Sequence, residues 1–145
     1  MELDKETTKK LQEKILKIFI EFKKICEDNG LKYYLIGGSC LGAVRHKGFI
    51  PWDDDIDVGM PREDFTAFCW IAPQFLSQNL FLQTYESDPQ YYFEFAKIRD
   101  SNTTYLDSGM KQLDINHGIF MDIFPLDSYP DSLFSKFKLR FNRAL

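Results

Sequence analysis

Asp53-Asp54-Asp55-Ile56-Asp57-Val58 is the stretch on which the reading of this chain turns. Polar and apolar residues alternate from Asp55 to Val58, and in an extended chain alternate side chains leave opposite faces. Asp55 and Asp57 then point to one side, while Ile56 and Val58 anchor the strand in a core. Two unit charges ~5 Å apart repel by about 3 kcal/mol at an effective dielectric of 20. A folded domain does not keep that arrangement without a compensating cation, and Mg²⁺ or Mn²⁺, which take hard oxygen ligands, suit it. Two other readings compete. One is a solvated acidic turn. The other is a calcium loop, with Asp53, Asp55, Asp57 and Asp64 at the first, third, fifth and twelfth positions. Val58 stands where such a loop needs Gly, and Asp64 where it needs a bidentate Glu, so the calcium reading fails on two of its own requirements.

A third carboxylate stands further along. In the apolar run 118–124, Gly118, Phe120, Asp122 and Phe124 share one face, and Ile119, Met121 and Ile123 share the other. A lone Asp in such a strand is costly unless a cation meets it, either a metal or a basic side chain. Set beside the Asp55–Asp57 strand, Asp122 would complete a three-carboxylate site suited to phosphoryl transfer. Upstream, Gly37-Gly38-Ser39 follows a strand-like stretch, 32–36, and precedes a short helix, 39–46. Glycines let backbone approach a phosphate, the helix start offers unpaired N–H groups, and Ser39 suits both N-cap and hydroxyl donor. Arg45 and His46 close that helix and are candidate phosphate partners. Lys97 and Arg99 alternate on a strand and so share a face. They either extend the cationic side of the site or are solvated surface charges.

The rest of the chain supplies a scaffold. Leu11, Ile15, Ile18, Phe22 and Cys26 recur at helical spacing, predicting an amphipathic helix over about 5–28 with Asp4 as N-cap and Asn29-Gly30 as stop. Pro61 starts a second helix through Phe65, Phe68, Cys69 and Ala72. Strand-like runs at 80–85 and 91–99, with turns at 87–89 and 100–102 before 103–106, predict a β-hairpin within about 80–106. Pro125 to Asp131 reads as loop. Phe134, Phe137, Phe141 and Leu145 recur at helical spacing among Lys136, Lys138, Arg140 and Arg143. Segment 133–145 therefore reads as a helix that packs on further protein or lies on an anionic membrane surface. It stops without a terminator, which predicts a catalytic domain over 1–145 that is truncated at its C-terminus. His117 has no partner that the sequence identifies.

Composition sets the outer bounds. With 145 residues, 44% of them hydrophobic, the chain has material for one cored domain. Its net charge of −4 gives no basic footprint, which argues against nucleic acid as a partner. Cys26, Cys40 and Cys69 have neither zinc nor disulfide spacing and read as buried thiols in a reducing, cytoplasmic setting. There is no apolar leader and no run of ~20 apolar residues to span a membrane.

Residues 37–57, GGSCLGAVRHKGFIPWDDDID, closely resemble the signature of the LicD family, and two weaker blocks agree: 95–100, FAKIRD, and 118–127, GIFMDIFPLD. The resemblance implies an α+β nucleotidyltransferase fold, a small mixed sheet flanked by helices. It implies transfer of phosphocholine from CDP-choline, or of a similar phospho-substituent, onto a cell-surface glycan such as lipopolysaccharide, teichoic acid or a capsule precursor. Fukutin-type relatives move ribitol phosphate. The family pattern makes Asp55, Asp57 and Asp122 the metal and catalytic carboxylates. Gly37, Gly38 and Ser39 then contact the donor phosphate, with Arg45, His46, Lys97 and Arg99 as further candidates. Two alternatives stay open: a transferase that moves the nucleotide itself, and a fragment that binds metal or nucleotide without turnover.

Overall fold

The computed structural model describes residues 4–106 and 108–129. The expected helix at 133–145, and with it the membrane-surface reading, lies outside the described residues.

Helix α1 runs Lys5–Asp28. Asp4 caps it as expected, its carboxylate accepting from the backbone N–H of Glu6 at 2.9 Å and of Thr7 at 3.0 Å. It ends where Gly30 takes a left-handed φ of +66° and Leu31 N–H returns to the Cys26 carbonyl. Strand β1 is only Tyr34–Leu35, shorter than the five residues the pattern suggested. Then come α2 (Gly37–His46), β2 (Asp57–Pro61), α3 (Arg62–Ile71) with a 3₁₀ turn at Ala72–Gln74, β3 (Leu80–Gln83), β4 (Ala96–Asp100) and β5 (Ile119–Leu126).

The strands form one mixed sheet in the order β1-β2-β5-β4-β3. Only β2 and β5 run parallel; the other neighbours are antiparallel. The α+β architecture expected from the sequence is thus present. The hairpin is β3 with β4, joined by the long connection 84–95, while 103–106 forms no strand. Residues 125–126, read as loop, continue β5. Asp122 donates its N–H to the carbonyl of Ile56, the residue just before β2, so by alternation residue 125 faces the β4 side. The β4 ladder starts only at Ala96 opposite Ile123, so Pro125 lacks an N–H where no partner requires one.

The core lies on one face of the sheet. Ile15, Ile18 and Phe22 of α1 and Phe68 of α3 pack with Val58, Ile98, Met121 and Ile123. Phe22 and Phe68, both fully buried, meet with ring centroids 5.0 Å apart. The opposite face carries Asp57, Phe120, Asp122, Phe124, Lys97 and Arg99. Cys26 is buried and Cys69 half-buried, but Cys40 is exposed on α2, contrary to the expectation of three buried thiols. Among the described residues no helix is long and apolar enough to cross a membrane.

Gly118 opens β5 at a point of close backbone approach. A Cβ there would lie 2.2 Å from the Asp100 carbonyl oxygen, which cannot move without breaking the β4–β5 ladder. We expect Gly118→Ala to cost about 3 kcal/mol of stability by overpacking. Gly48→Ala meets nothing within 4 Å and is expected to be near neutral. Urea unfolding of the two variants side by side checks the contrast.

Candidate active site

The site assembles where the start of α2 meets the start of β2. Gly37 has φ +54°, a conformation that costs a residue with Cβ roughly 1–2 kcal/mol. It lets the chain turn directly from β1 into the helix. The N-cap is Ile36, which offers no side-chain hydrogen bond, so among the described residues no side chain caps the first N–H groups of α2. Ser39 is therefore not the N-cap. Its hydroxyl lies inside the first turn and accepts the Asp57 N–H at 2.8 Å. The Ile36 N–H reaches the Asp57 carbonyl at 3.1 Å. These two bonds clamp the helix start to the first residue of β2. The closeness shows at the glycines: a Cβ on Gly37 would stand 3.4 Å from Asp57 Oδ2, and one on Gly38 would stand 2.8 Å from Asp53 Oδ2.

Asp55 precedes β2 rather than belonging to it, yet the expected alternation holds. Ile56 and Val58 are buried, at 6% and 0% exposure, and Asp55 and Asp57 stay half-buried. Burial and the charges of Asp57, Asp53 and Asp54, only partly offset by Lys97, push the Asp55 carboxyl up to about 6. Asp57 is also raised, by burial and then by Asp122. The β2–β5 register sets Asp57 opposite Asp122, so these carboxylates stand side by side on adjacent strands. Asp122 is raised mainly by burial, while Lys97 pulls it back down.

Lys97 lies opposite Asp122 on β4 and forms an ion pair with it. It is 3% exposed and sits 3.6 Å from the centroid of the Phe120 ring. It is thus no solvated surface charge. Arg99 is fully buried as well: Nε donates to Gln83 Oε1 at 2.6 Å, and Nη1 donates to the Gly118 carbonyl at 2.8 Å. The structure brings Asp55, Asp57, Asp122, Lys97 and the Gly37–Ser39 turn together. Arg45 and His46 are at the far end of α2, roughly 9 Å along its axis from Ser39 by the 1.5 Å rise per residue. They are exposed and make no side-chain hydrogen bond or ion pair among the described residues.

Sequence reasoning underused three groups. Asp53, Asp54 and Asp55 bring carboxylate oxygens within 4.8 Å of one another, a tighter cluster than the expected Asp55–Asp57–Asp122 set. Tyr105 donates its hydroxyl to Asp54 Oδ2 at 2.7 Å and packs edge-on against Phe120. Its backbone N–H bonds the carbonyl of His117, whose ring nitrogen in turn meets the Leu113 carbonyl. Gln12 of α1 donates to the carbonyls of Ile50 at 3.1 Å and Asp53 at 2.8 Å, stapling the acidic segment to the core helix. The run of three Asp was a visible signal for the first group. Nothing local in the sequence pairs Tyr105 or Gln12 with residues some forty to fifty positions away.

The donor set suits a hard divalent cation. It is all carboxylate oxygen, and its acids are raised by burial and then by mutual repulsion, both of which a cation would offset.

Residues 30–140 match the family described as LicD/FKTN/FKRP, nucleotidyltransferase domain. The chain is 40% identical over 131 residues to lipopolysaccharide cholinephosphotransferase LicD of Haemophilus influenzae, covering 89% of this chain and 48% of that protein. It is 36% identical over 106 residues to the uncharacterized protein RP689 of Rickettsia prowazekii, covering 73% of this chain and 36% of that protein. A shorter stretch of 40 residues is 52% identical to human ribitol 5-phosphate transferase FKRP, covering 28% of this chain and 8% of that protein. The chain thus spans about half the length, or less, of these curated relatives. With the family match extending over most of its residues, the chain belongs to the LicD/FKTN/FKRP nucleotidyltransferase-domain family.

Proposed function

We propose that this chain carries the donor-binding and catalytic part of a phosphotransferase. It would move phosphocholine, or a similar phospho-substituent, from a CDP-activated donor to a hydroxyl of a cell-surface glycan. One observation carries the reading: the uncapped N-terminus of α2 stands directly against the carboxylates of Asp53 and Asp57. A helix start attracts a phosphate, and acidic side chains repel one. The two belong together when a cation lies between them. Mg²⁺ or Mn²⁺ held by Asp55 and Asp57 would supply that charge neutralisation when bound, with Asp53 and Asp54 at hand.

The chain's own residues then divide the remaining work. The N–H groups of Gly37 and Gly38 orient the donor diphosphate. The Ser39 oxygen is engaged by the Asp57 N–H, which leaves its proton to donate to a phosphate oxygen. Asp122 has one oxygen on Lys97, and its raised affinity for protons suits it to accept the proton of the attacking hydroxyl. Positioning and charge neutralisation carry most of such a transfer. The relatives support the acceptor class: one bears the name of a lipopolysaccharide cholinephosphotransferase and another that of a ribitol 5-phosphate transferase. The family description also names a nucleotidyltransferase domain, which keeps transfer of the nucleotide itself as the second reading. Analysis of which half of a doubly labelled CDP-choline stays on the acceptor separates the two.

Two outcomes are expected. In the full-length protein with Mg²⁺, Asp57→Ala lowers turnover of CDP-choline by at least ~10³-fold, the scale of losing a principal electrostatic contact. Unchanged turnover would sink the assignment. The second outcome concerns the chelated protein. An acid raised from 3.8 to about 6 holds its proton more tightly in the folded state, so its contribution to stability falls as pH rises through that window. Asp55→Asn removes this liability. In EDTA at pH 7.5 the variant is expected to be more stable than the parent by about 1 kcal/mol, well below the full value of the shift because solvent screens the site. The gap closes as pH falls below about 4. Parallel thermal melts across pH read it, and a pH-independent gap would contradict it.

A further inference from the structure

The connection between β4 and β5 brings a phenol to the acidic corner. Tyr105 donates its hydroxyl to Asp54 Oδ2 at 2.7 Å, and both side chains are half-buried. Its backbone is fixed on the sheet. The Tyr105 N–H reaches the His117 carbonyl at 2.6 Å. Two residues earlier, Thr103 Oγ1 donates to the Asp100 carbonyl at 2.6 Å and accepts the Ile119 N–H at 2.8 Å. These bonds tie the chain around Tyr105 to the end of β4 and the start of β5. The ring stands edge-on to Phe120, with centroids 5.6 Å apart. Phe120 in turn has the Lys97 ammonium 3.6 Å from its centroid, and Lys97 pairs with Asp122. One ring contact therefore links the phenol on Asp54 to the ion pair at the middle of the sheet.

Asp54 has use for such a partner. It lies before β2 in irregular chain, where no ladder fixes it. Its charge reaches its neighbours, being among the causes that raise the carboxyls of Asp53 and Asp55. A hydroxyl donated to one carboxylate oxygen restricts its rotation and leaves the lone pairs of the other oxygen for a further partner.

We propose that Tyr105 is a positioning residue: its hydroxyl holds Asp54 within the Asp53–Asp55 group and ties that irregular segment to the Lys97–Asp122 pair, so that a divalent cation meets an acidic corner already assembled. The inference rests on the cation reading above and adds that the β4–β5 connection sets the corner's affinity. Without the phenol, the cation itself must order Asp54 as it binds, which weakens binding. Partners that orient metal-binding groups typically account for about 10–100-fold in metal affinity. A tyrosine with a merely structural role would act through its ring. Tyr105→Phe keeps the ring on Phe120 and removes only the hydroxyl, so it separates the two roles.

The test is binding of Mn²⁺ alone to the full-length protein, without donor or acceptor, read from the electron paramagnetic resonance signal of unbound Mn²⁺. Tyr105→Phe is expected to keep the parent's far-UV circular dichroism and cooperative melt in EDTA, yet to bind Mn²⁺ at least ~10-fold more weakly. Asp54→Ala approaches the same bond from its other end and weakens binding by a similar factor. The double variant binds no more weakly than Asp54→Ala alone, because the hydroxyl acts through that carboxylate. With CDP-choline and acceptor present, Tyr105→Phe raises the Mn²⁺ concentration for half-maximal turnover by the same factor and leaves kcat at saturating Mn²⁺ at the parent value. Parent affinity in Tyr105→Phe, parent affinity in Asp54→Ala, or additive losses in the double variant overturns the positioning role. A parent protein that binds no Mn²⁺ overturns it as well and takes the cation reading with it. Mn²⁺ binding that depends on Tyr105, with no transfer from any donor, leaves the positioning role standing and removes only the transferase reading.

Discussion

The site depends on one row of side chains laid across the sheet. Asp57 on β2 faces Asp122 on β5, which faces Lys97 on β4, which faces Gln83 on β3. Like charges directly opposite one another on neighbouring strands are destabilising, so the Asp57–Asp122 step opposes folding. Lys97 offsets it from the other side. Its ammonium is buried against the Phe120 ring and paired with Asp122, and it lowers the proton affinity of Asp55 and Asp57 as well. Removing one partner of such a buried pair typically costs about 3–5 kcal/mol, because the other charge is left alone. Gln83 and Arg99 extend the polar network outward, and the register of all four strands follows from keeping these groups in one line.

That row fixes the backbone but does not settle all the charge. Among the described residues Lys97, with Arg99 acting on Asp122, faces five neighbouring acids: Asp53, Asp54, Asp55, Asp57 and Asp122. Burial first, and the residual repulsion after it, appear as the raised proton affinity of Asp53, Asp55 and Asp57. The polypeptide could have relieved it with another Lys or Arg. Instead it places the open start of α2 there, with N–H groups that favour anions and, among the described residues, no side chain that caps them. Negative side chains facing a positive helix end, in a partly desolvated corner, are the combination that the proposed cation and phosphate would reconcile.

Much of this was legible in the residues. The period-2 pattern at 55–58 and 118–124 identified the core sides of β2 and β5, and the placement of Ile56, Val58, Met121 and Ile123 in the core agrees. Helix α1 and its cap followed from spacing and from Asp4. What sequence did not reveal depends on contacts between distant positions. Lys97 and Arg99 were correctly set on one strand face. Whether that face was wet could not be known without Phe120, Gln83 and Gly118 packed around it. Ser39 looked like an N-cap because short hydroxyl residues usually serve as caps at helix starts. It bonds Asp57 instead, because the positive φ of Gly37 begins the helix two residues earlier. Residues 103–106 looked strand-like, yet Tyr105 spends its bonds on His117 and Asp54 rather than on a ladder.

The five acids differ in how firmly they are held, and this difference fits their separate tasks. Asp57 and Asp122 sit in register on parallel central strands, so their separation is set by the ladder and cannot adjust cheaply. Asp53, Asp54 and Asp55 lie just before β2, in irregular chain. Their side-chain tethers are one hydrogen bond from Gln12 to the Asp53 carbonyl and one from Tyr105 to the Asp54 carboxylate, rather than a ladder of backbone pairs. Carboxylates on such a segment can change their mutual spacing while the sheet stays fixed. In the proposed transfer, the rigid pair would suit groups that keep one geometry, and the adjustable trio would suit accommodation of charge that comes and goes. On this division, strengthening the ladder would leave the site's electrostatics intact, whereas loosening the Gln12 and Tyr105 tethers would blur the acidic corner without unfolding the domain.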